Sequence, residues 1–523
     1  MSSTSINAAD LAEIAEHGLL AGEAERQLAL YADPPGPAVL ARPCVAGDGI
    51  RRLEQPEIDR YLSVYEDALK RRSILKFIPA SGAASRMFKS ALACYHADDP
   101  LPLAAVRQAA DGGDAAAVEV REAIEEIERF AFYSALTASM RDSGKELRSV
   151  IDGGDLRELL SALLTNEGLA YADLPKGLLA FHRYSDGART SFEEHLVEAA
   201  GYACCGDGVC HLQFTVSDSH RTLFEDLFAR VRDHYERVHG VRFDVSFSLQ
   251  KPSTDVVAVT PDGELFRTEE GALLFRPGGH GALIENLADL DADVVFIKNI
   301  DNVVPDHLKE PTYLWKRVLG GVLADLQSRA FGLLGRLEAN GGDVEAVDAA
   351  LAFLTDELDV PVPRDVSVAA AEVRREFACK MLDRPMRVCG MVRNEGEPGG
   401  GPFWVAAHGS ESVQIVESSQ VDGGSDEQQA IFDGGTHFNP VDLVCGLRDR
   451  NGRPYDLHEY IDDATAFVVE KSSGSSLLRS LERPGLWNGA MAFWNTVFVE
   501  VPPETFNPVK TINDLLRPSH QPI

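Results

Sequence analysis

Apolar residues recur three and four positions apart over residues 8–31 and again over 56–72, the spacing of amphipathic helices, with the proline-rich "DPPGPAVLARP" between them. Ser73 to Ala80, "SILKFIPA", is instead a mostly apolar run of strand length closed by small residues, which suits a strand buried on both faces. From Leu103 to Leu164 the period returns to that of a helix, as in "VEVREAIEEIERFAFYSALTASM", and the stretch reads as an insertion. Strand signals resume at "CHLQFTVS", "VRFDVSFSLQ", "DVVAV" before an Asp262-Gly263 turn, and "ADVVFIKNID", with helical segments between several of them. Residues 312–380 are largely helical in pattern, and after Gly399-Gly400-Gly401 the chain is rich in strands and turns. Strands alternating with helices predict an α/β fold with a mostly parallel sheet. The expected organisation is a helical cap over 1–72, a core over 73–310 interrupted by the insertion at about 96–168, a helical segment over 311–385 and a strand-rich part over 386–523.

Composition narrows the partners. A chain of 523 residues that is 45% hydrophobic exceeds what one core usually serves, about 250 to 300 residues, so two or three domains are expected. The net charge of −32, from 82 acidic against 50 basic residues, repels nucleic acids and anionic membranes, so an anionic ligand needs a local basic pocket. No apolar run approaches the roughly 18 residues of a membrane span, and the acidic start "MSSTSINAADLAEIAEHGLL" is unlike a signal peptide. A cytoplasmic protein is expected. The eight cysteines form no disulfide framework, and "CCGDGVCH" lacks the spacing of a zinc site, so reduced thiols are expected.

In a parallel sheet, ligands sit beyond the carboxyl ends of the strands. The turn after "SILKFIPA" lies at such a place. Its small residues Ala80, Ser81, Gly82, Ala83, Ala84 and Ser85 would let the backbone approach phosphate oxygens, with Arg86 and Lys89 to neutralise charge. Small residues also occur wherever a helix packs tightly on a strand, and the turn by itself leaves both readings open. Four further stretches follow in order: "DLPKGLLAFHRYSDGARTSFEEHLVEAA" with Lys176 after a proline, "FSLQKPSTD" with Gln250, "FRPGGHGALIENL" with Gly279, His280 and Gly281, and "VFIKNIDNVV" with Asn299, Asp301 and Asn302.

This order resembles the nucleotide-sugar pyrophosphorylases, which join a sugar 1-phosphate to a nucleoside triphosphate on a GT-A-type, Rossmann-like sheet. Their first loop, L-x-G-G-x-G-T-R, is similar to "PASGAASR", with Gly82 kept, Ser85 for threonine, and Ser81 and Ala84 in place of glycines. Their following P-K is similar to Pro175-Lys176, displaced here by the insertion. "VEVPPETFNPVKTINDLL" resembles a segment of the UDP-glucose enzymes that carries a phosphate-contacting lysine, here Lys510. "FVVEKSSG" and "GLWNGAMAFW" resemble elements of mannose 1-phosphate guanylyltransferases, which would put Glu470, Lys471 and Asn488 against the sugar phosphate. The chain as a whole resembles a bacterial domain-of-unknown-function family placed near these enzymes.

The resemblance implies a GT-A/Rossmann-like mixed, mostly parallel sheet flanked by helices, with helical insertions and a strand-rich C-terminal part. It also implies a transferase working on UTP and a sugar 1-phosphate with Mg²⁺. Arg86, Lys176 and Lys510 would be catalytic, and Asp301 would hold the metal. The turn residues Ala80 to Ala83 and Ser85, with Gln250 and Gly279 to Gly281, would bind the nucleotide; Asn299 would join the sugar-phosphate set. The residues alone leave Asp301 the further reading of a helix-capping turn. Two other classes are expected alternatives: a GT-A glycosyltransferase, whose usual D-x-D strand end "NIDN" half provides, and a nucleotide-binding regulator without turnover, which the altered loop glycines permit. No nucleic-acid or membrane partner is expected.

Overall fold

The computed structural model describes residues 6–97, 101–339, 344–473 and 476–523. The chain divides into two compact units that interleave along the sequence. The first is Met1–Ile74, Leu249–Ile297 and Lys316–Pro503; the second is Leu75–Ser248, Lys298–Trp315 and Glu504–Ile523.

In the first unit, strands run in the order Val45–Ala46, Gly49–Arg51, Asn495–Glu500, Met386–Met391, Asp442–Gly446 and Val294–Ile297. The first four are parallel and the last two pairings antiparallel. Met386–Met391, Asp442–Gly446 and Val294–Ile297 are buried at every position, which suits mostly apolar strands covered on both faces, and the charges of Arg387 and Asp442 are buried with them. Part of that cover is the helix Glu310–Ala339. A Cβ on its Gly321 would come within 2.0 Å of the Tyr61 carbonyl oxygen, so the glycine lets it lie close against helix Gln55–Leu69.

Two local features depart from the sequence pattern. The apolar period runs through residues 8–31, yet there are two helices, Ala8–His17 and Ala21–Ala32, because Gly18 adopts a left-handed conformation (φ 96°) that ends the first. The presumed linker that follows is strand: Leu40–Pro43 pairs with Gly401–Ala407, which pairs with Ser410–Val416.

In the second unit, Ile74–Pro79 lies parallel to Val209–Val216, followed by Arg242–Leu249. Helices Ser191–Tyr202 and Arg221–His239 accompany them. The insertion forms the helices Leu103–Asp111, Ala115–Glu125, Tyr133–Asp142, Leu147–Gly153 and Leu156–Leu164, around an apolar core that they share with Met87, Phe88, Tyr171 and Phe181. Val509, Ile512, Leu515 and Leu516 complete that core. The chain end thus belongs to the second unit, although its sequence groups it with the strand-rich part. Cys204 and Cys210 face each other across an antiparallel bridge, Cα atoms 4.1 Å apart, and are joined as a disulfide where thiols were expected. The fold is mixed α/β, with mostly parallel strands flanked by helices, consistent with a Rossmann or GT-A-like architecture.

Candidate active site

The small-residue turn is anchored at both ends and open in the middle. The Ala80 N–H donates to the Thr215 carbonyl at 2.8 Å, and the Ala84 N–H to the Leu174 carbonyl at 3.0 Å. Met87 and Phe88 are buried in the core of the insertion. Between these anchors Gly82, Ala83, Ser85 and Arg86 are exposed, and Ser81 is half-buried. A Cβ on Gly82 would meet no protein atom within 4 Å. The fold itself therefore does not require glycine there.

The Ala84–Leu174 bond and an antiparallel bridge between Ala83 and Pro175 bring the turn against Leu174-Pro175 and so beside Lys176. The Lys176 ammonium donates to the Asp301 carboxylate at 2.7 Å and to the Val509 carbonyl at 2.5 Å, with both side chains 17% exposed. Its turn is held close, since a Cβ on Gly177 would strike the Phe224 ring at 2.6 Å. Asn302 is buried and ties the chain end down: its amide donates to the Thr505 carbonyl at 3.3 Å and its oxygen accepts from the Asn507 N–H at 2.8 Å. Lys510, next to Val509, is exposed, as is Asn299. The turn, Lys176, Asp301 and the backbone of Val509-Lys510 thus meet in one place. The segment after Lys510 is a five-residue turn, Ile512–Leu516, and the Asp514 carboxylate already accepts from the N–H groups of Lys510 and Thr511 at 2.6 and 2.7 Å. Those donors are spent on the chain itself.

Sequence reasoning missed what aligns the two strand ends. Glu198 is completely buried on helix Ser191–Tyr202 and accepts from Lys76, at 3.0 Å, and from Lys298, at 2.9 Å. Lys76 lies on the strand that leads into the turn, and Lys298 leads into Asn299 and Asp301. The signal was legible: a lysine inside each of "SILKFIPA" and "VFIKNI" is a charge in a strand with no wet face, and such a charge must be paired.

The remaining predicted residues lie in the first unit. His280, Gly281 and Asn488, with Glu417, Gln420 and Glu482, line a cavity of about 50 Å³. The His280 ring stacks on Trp487 at 4.7 Å, and its Nδ1 accepts from the Leu486 N–H at 3.1 Å. Gly279 takes a left-handed φ of 70°, while a Cβ on Gly281 would come within 2.3 Å of the Pro484 carbonyl oxygen. These glycines serve the packing of their own turn. Lys471 pairs with Glu482 at 2.5 Å, and the Asn488 amide donates to Gln420 at 3.4 Å. Glu482 and Glu417 had no motif to mark them. Successive strand residues face opposite ways, so Glu470, exposed and cross-strand from Arg479, is turned from Lys471. Neither Glu470 nor Gln250 is among the described residues lining the cavity. The Gln250 amide nitrogen is buried without a hydrogen-bond partner among the described residues.

Residues 7–521 match the family described as "Domain of unknown function (DUF4301)". The chain belongs to DUF4301. No curated protein matches it. Among solved structures, this DUF4301 chain is similar to uridine diphosphate N-acetylglucosamine pyrophosphorylase of Trypanosoma brucei, at 13% identity over 98% of this chain and 77% of that one, TM-score 0.45. It is also similar to a UDP-glucose pyrophosphorylase mutant of Leishmania major, at 13% identity over 98% and 79%, TM-score 0.43. It is similar as well to UDP-glucose phosphorylase of Trypanosoma brucei, at 12% identity over 97% of this chain and 76% of that one, TM-score 0.44. At this distance nothing about the activity of the DUF4301 chain follows from these likenesses. Among the described residues, no helix is long and apolar enough to cross a membrane.

Proposed function

We propose that the protein joins a sugar 1-phosphate to a nucleoside triphosphate, UTP by preference, with release of pyrophosphate. The observation that carries this reading is the Lys176–Asp301 pair at 2.7 Å beside an open small-residue turn, with Lys510 adjoining it. An oxygen of the sugar phosphate attacks the α-phosphorus while pyrophosphate leaves in line, so the protein chiefly positions the partners and offsets charge. Arg86 and Lys176 counter the charge that grows on the leaving pyrophosphate, and Lys510 that on the α-phosphate.

Among the described residues no group of three or more His, Cys, Asp or Glu converges, so the protein side chains described form no complete metal cage. A cation carried on phosphates needs only one or two carboxylates, and Asp301 offers the hard oxygen donor that suits Mg²⁺. When bound, Mg²⁺ would draw charge from the phosphate oxygens and orient them. Lys176 then passes from Asp301 to a phosphate. Gln250 and the turn Gly279 to Gly281 are proposed for the base, and Asn299, Glu470, Lys471 and Asn488 for the sugar phosphate. Lys471 must leave Glu482 to serve there.

Pyrophosphate release from a panel of triphosphates and sugar 1-phosphates tests the reading. Turnover with one pair supports it; triphosphate binding with no pyrophosphate from any pair would make the protein a regulator. A paired glycine substitution tests the turn. Gly82→Ala should leave thermal stability unchanged, because its Cβ meets open space, yet raise the KM for the triphosphate if phosphate oxygens approach there. Gly281→Ala should lower the melting temperature by several degrees, because backbone must move.

A further inference from the structure

The chain end turns back over itself and is fastened by a buried pair of imidazoles. The His520 Nδ1 lies 2.9 Å from the His182 Nε2, and the His182 Nδ1 lies 2.9 Å from the Glu194 carboxylate, all three residues being buried. Glu194 also accepts from Lys309 at 2.6 Å and from the Tyr184 hydroxyl at 2.7 Å. The direction of each bond follows from chemistry. An ionised carboxylate only accepts, so His182 carries its proton on Nδ1, its Nε2 is a bare acceptor, and His520 must donate from Nδ1. The Nε2 of His520 is then left bare, and it is buried without a partner among the described residues. From His520 the fastening runs inward: the Ser519 carbonyl accepts from the Asn507 amide at 3.1 Å, and the Ser519 hydroxyl donates to Asn507 at 2.7 Å. Asn507 also donates to the Val303 carbonyl at 3.2 Å, two residues beyond Asp301, and two residues further on the Val509 carbonyl holds Lys176.

We infer that His182 and His520 are positioning residues, which hold the segment bearing Lys510 in register with Lys176 and Asp301. The inference rests on the proposed function for the role of Lys510. The fastening itself does not.

The pair is neutral. Burial pushes His182 down against the upward pull of Glu194, with Lys309 adding to the fall and Asp306 opposing it. Burial, then His182 and Arg517, hold His520 well below the ordinary histidine range, against Glu194. Burial also opposes charge on Glu194, but Lys309 and His182 more than offset it and hold the carboxyl at about 2. Each shift works in one direction with pH. Histidines kept neutral contribute stability that is fully present above their unfolded value, about 6.5, and falls as pH drops below it, while the share of Glu194 goes between its unfolded value and about 2.

The test compares the full chain with His520→Ala and His520→Asn, whose amide N–H stands where the Nδ1–H stood. Two quantities are read: amide hydrogen exchange over Glu504–Ile523, and kcat and KM for nucleotide-sugar formation. His520→Ala should speed exchange over that segment by about tenfold or more and lower kcat by about tenfold, with KM for the triphosphate within about twofold. His520→Asn should restore both, while making the fall of stability between about pH 5 and 6.5 shallower by about one proton. Unaltered exchange in His520→Ala overturns the fastening. Faster exchange with unaltered kcat, or a loss carried by KM alone, overturns the positioning role. A wild-type chain without turnover overturns the proposed function and the positioning role with it, and exchange still decides the fastening.

Discussion

Asp301→Asn is expected to lower turnover by about three orders of magnitude with the chain still folded. The two halves of that expectation have separate causes. A neutral amide binds Mg²⁺ poorly, so the substitution removes the carboxylate proposed to hold the metal. The fold survives because the asparagine oxygen still accepts from Lys176, now 2.7 Å from the carboxylate, and an ammonium that is 17% exposed keeps water besides. Steady-state rates at saturating Mg²⁺, beside a thermal melt, give the answer. Turnover within a few-fold of wild type would end the assignment of Asp301 to the metal and leave it as a capping residue for its turn.

The second large effect separates the two lysines that the resemblance takes from different branches. Lys510→Ala should reduce kcat by about a hundredfold with little change in KM, since the charge it offsets grows only in the transition state. Lys471→Ala should act on the KM for the sugar phosphate, as loss of uniform binding does. Its effect is also smaller because Lys471 already spends its charge on Glu482, at 2.5 Å, and must give up that pair to bind substrate. A kinetically silent Lys510→Ala would mean that the chain-end segment serves only to close the core of the insertion. A Lys471→Ala variant that loses kcat instead would move the α-phosphate chemistry to the first unit.

Much of the framework can be read along the chain. The apolar runs at 74–79, 209–216 and 294–297 are strands, and the three-and-four spacing over 103–164 marks helices. The pattern is local, and buried strands and amphipathic helices are set by local pattern. Where it misled, a single residue or a distant partner was responsible. Gly18 splits one apolar period into two helices, and the end of the proline-rich stretch, Leu40–Pro43, is strand where it pairs with Gly401–Ala407.

The sequence by itself determined the strand ends, the small-residue turn and the identity of the charged groups near them. It even carried the warning of Lys76, inside Ile74–Pro79, and of Lys298, just past Val294–Ile297, charges in apolar runs that must be paired when buried. What the tertiary structure alone decided is which of these groups meet. Lys176 and Asp301 are paired across many intervening residues, Val509 reaches the same place from the end of the chain, and His520 reaches His182. Glu470 and Lys471, adjacent in the motif, are sent to opposite faces of one hairpin. Spacing along a chain fixes neighbours on a strand or a helix turn. Contacts between elements depend on how their faces pack, and that is a property of the whole core rather than of any segment.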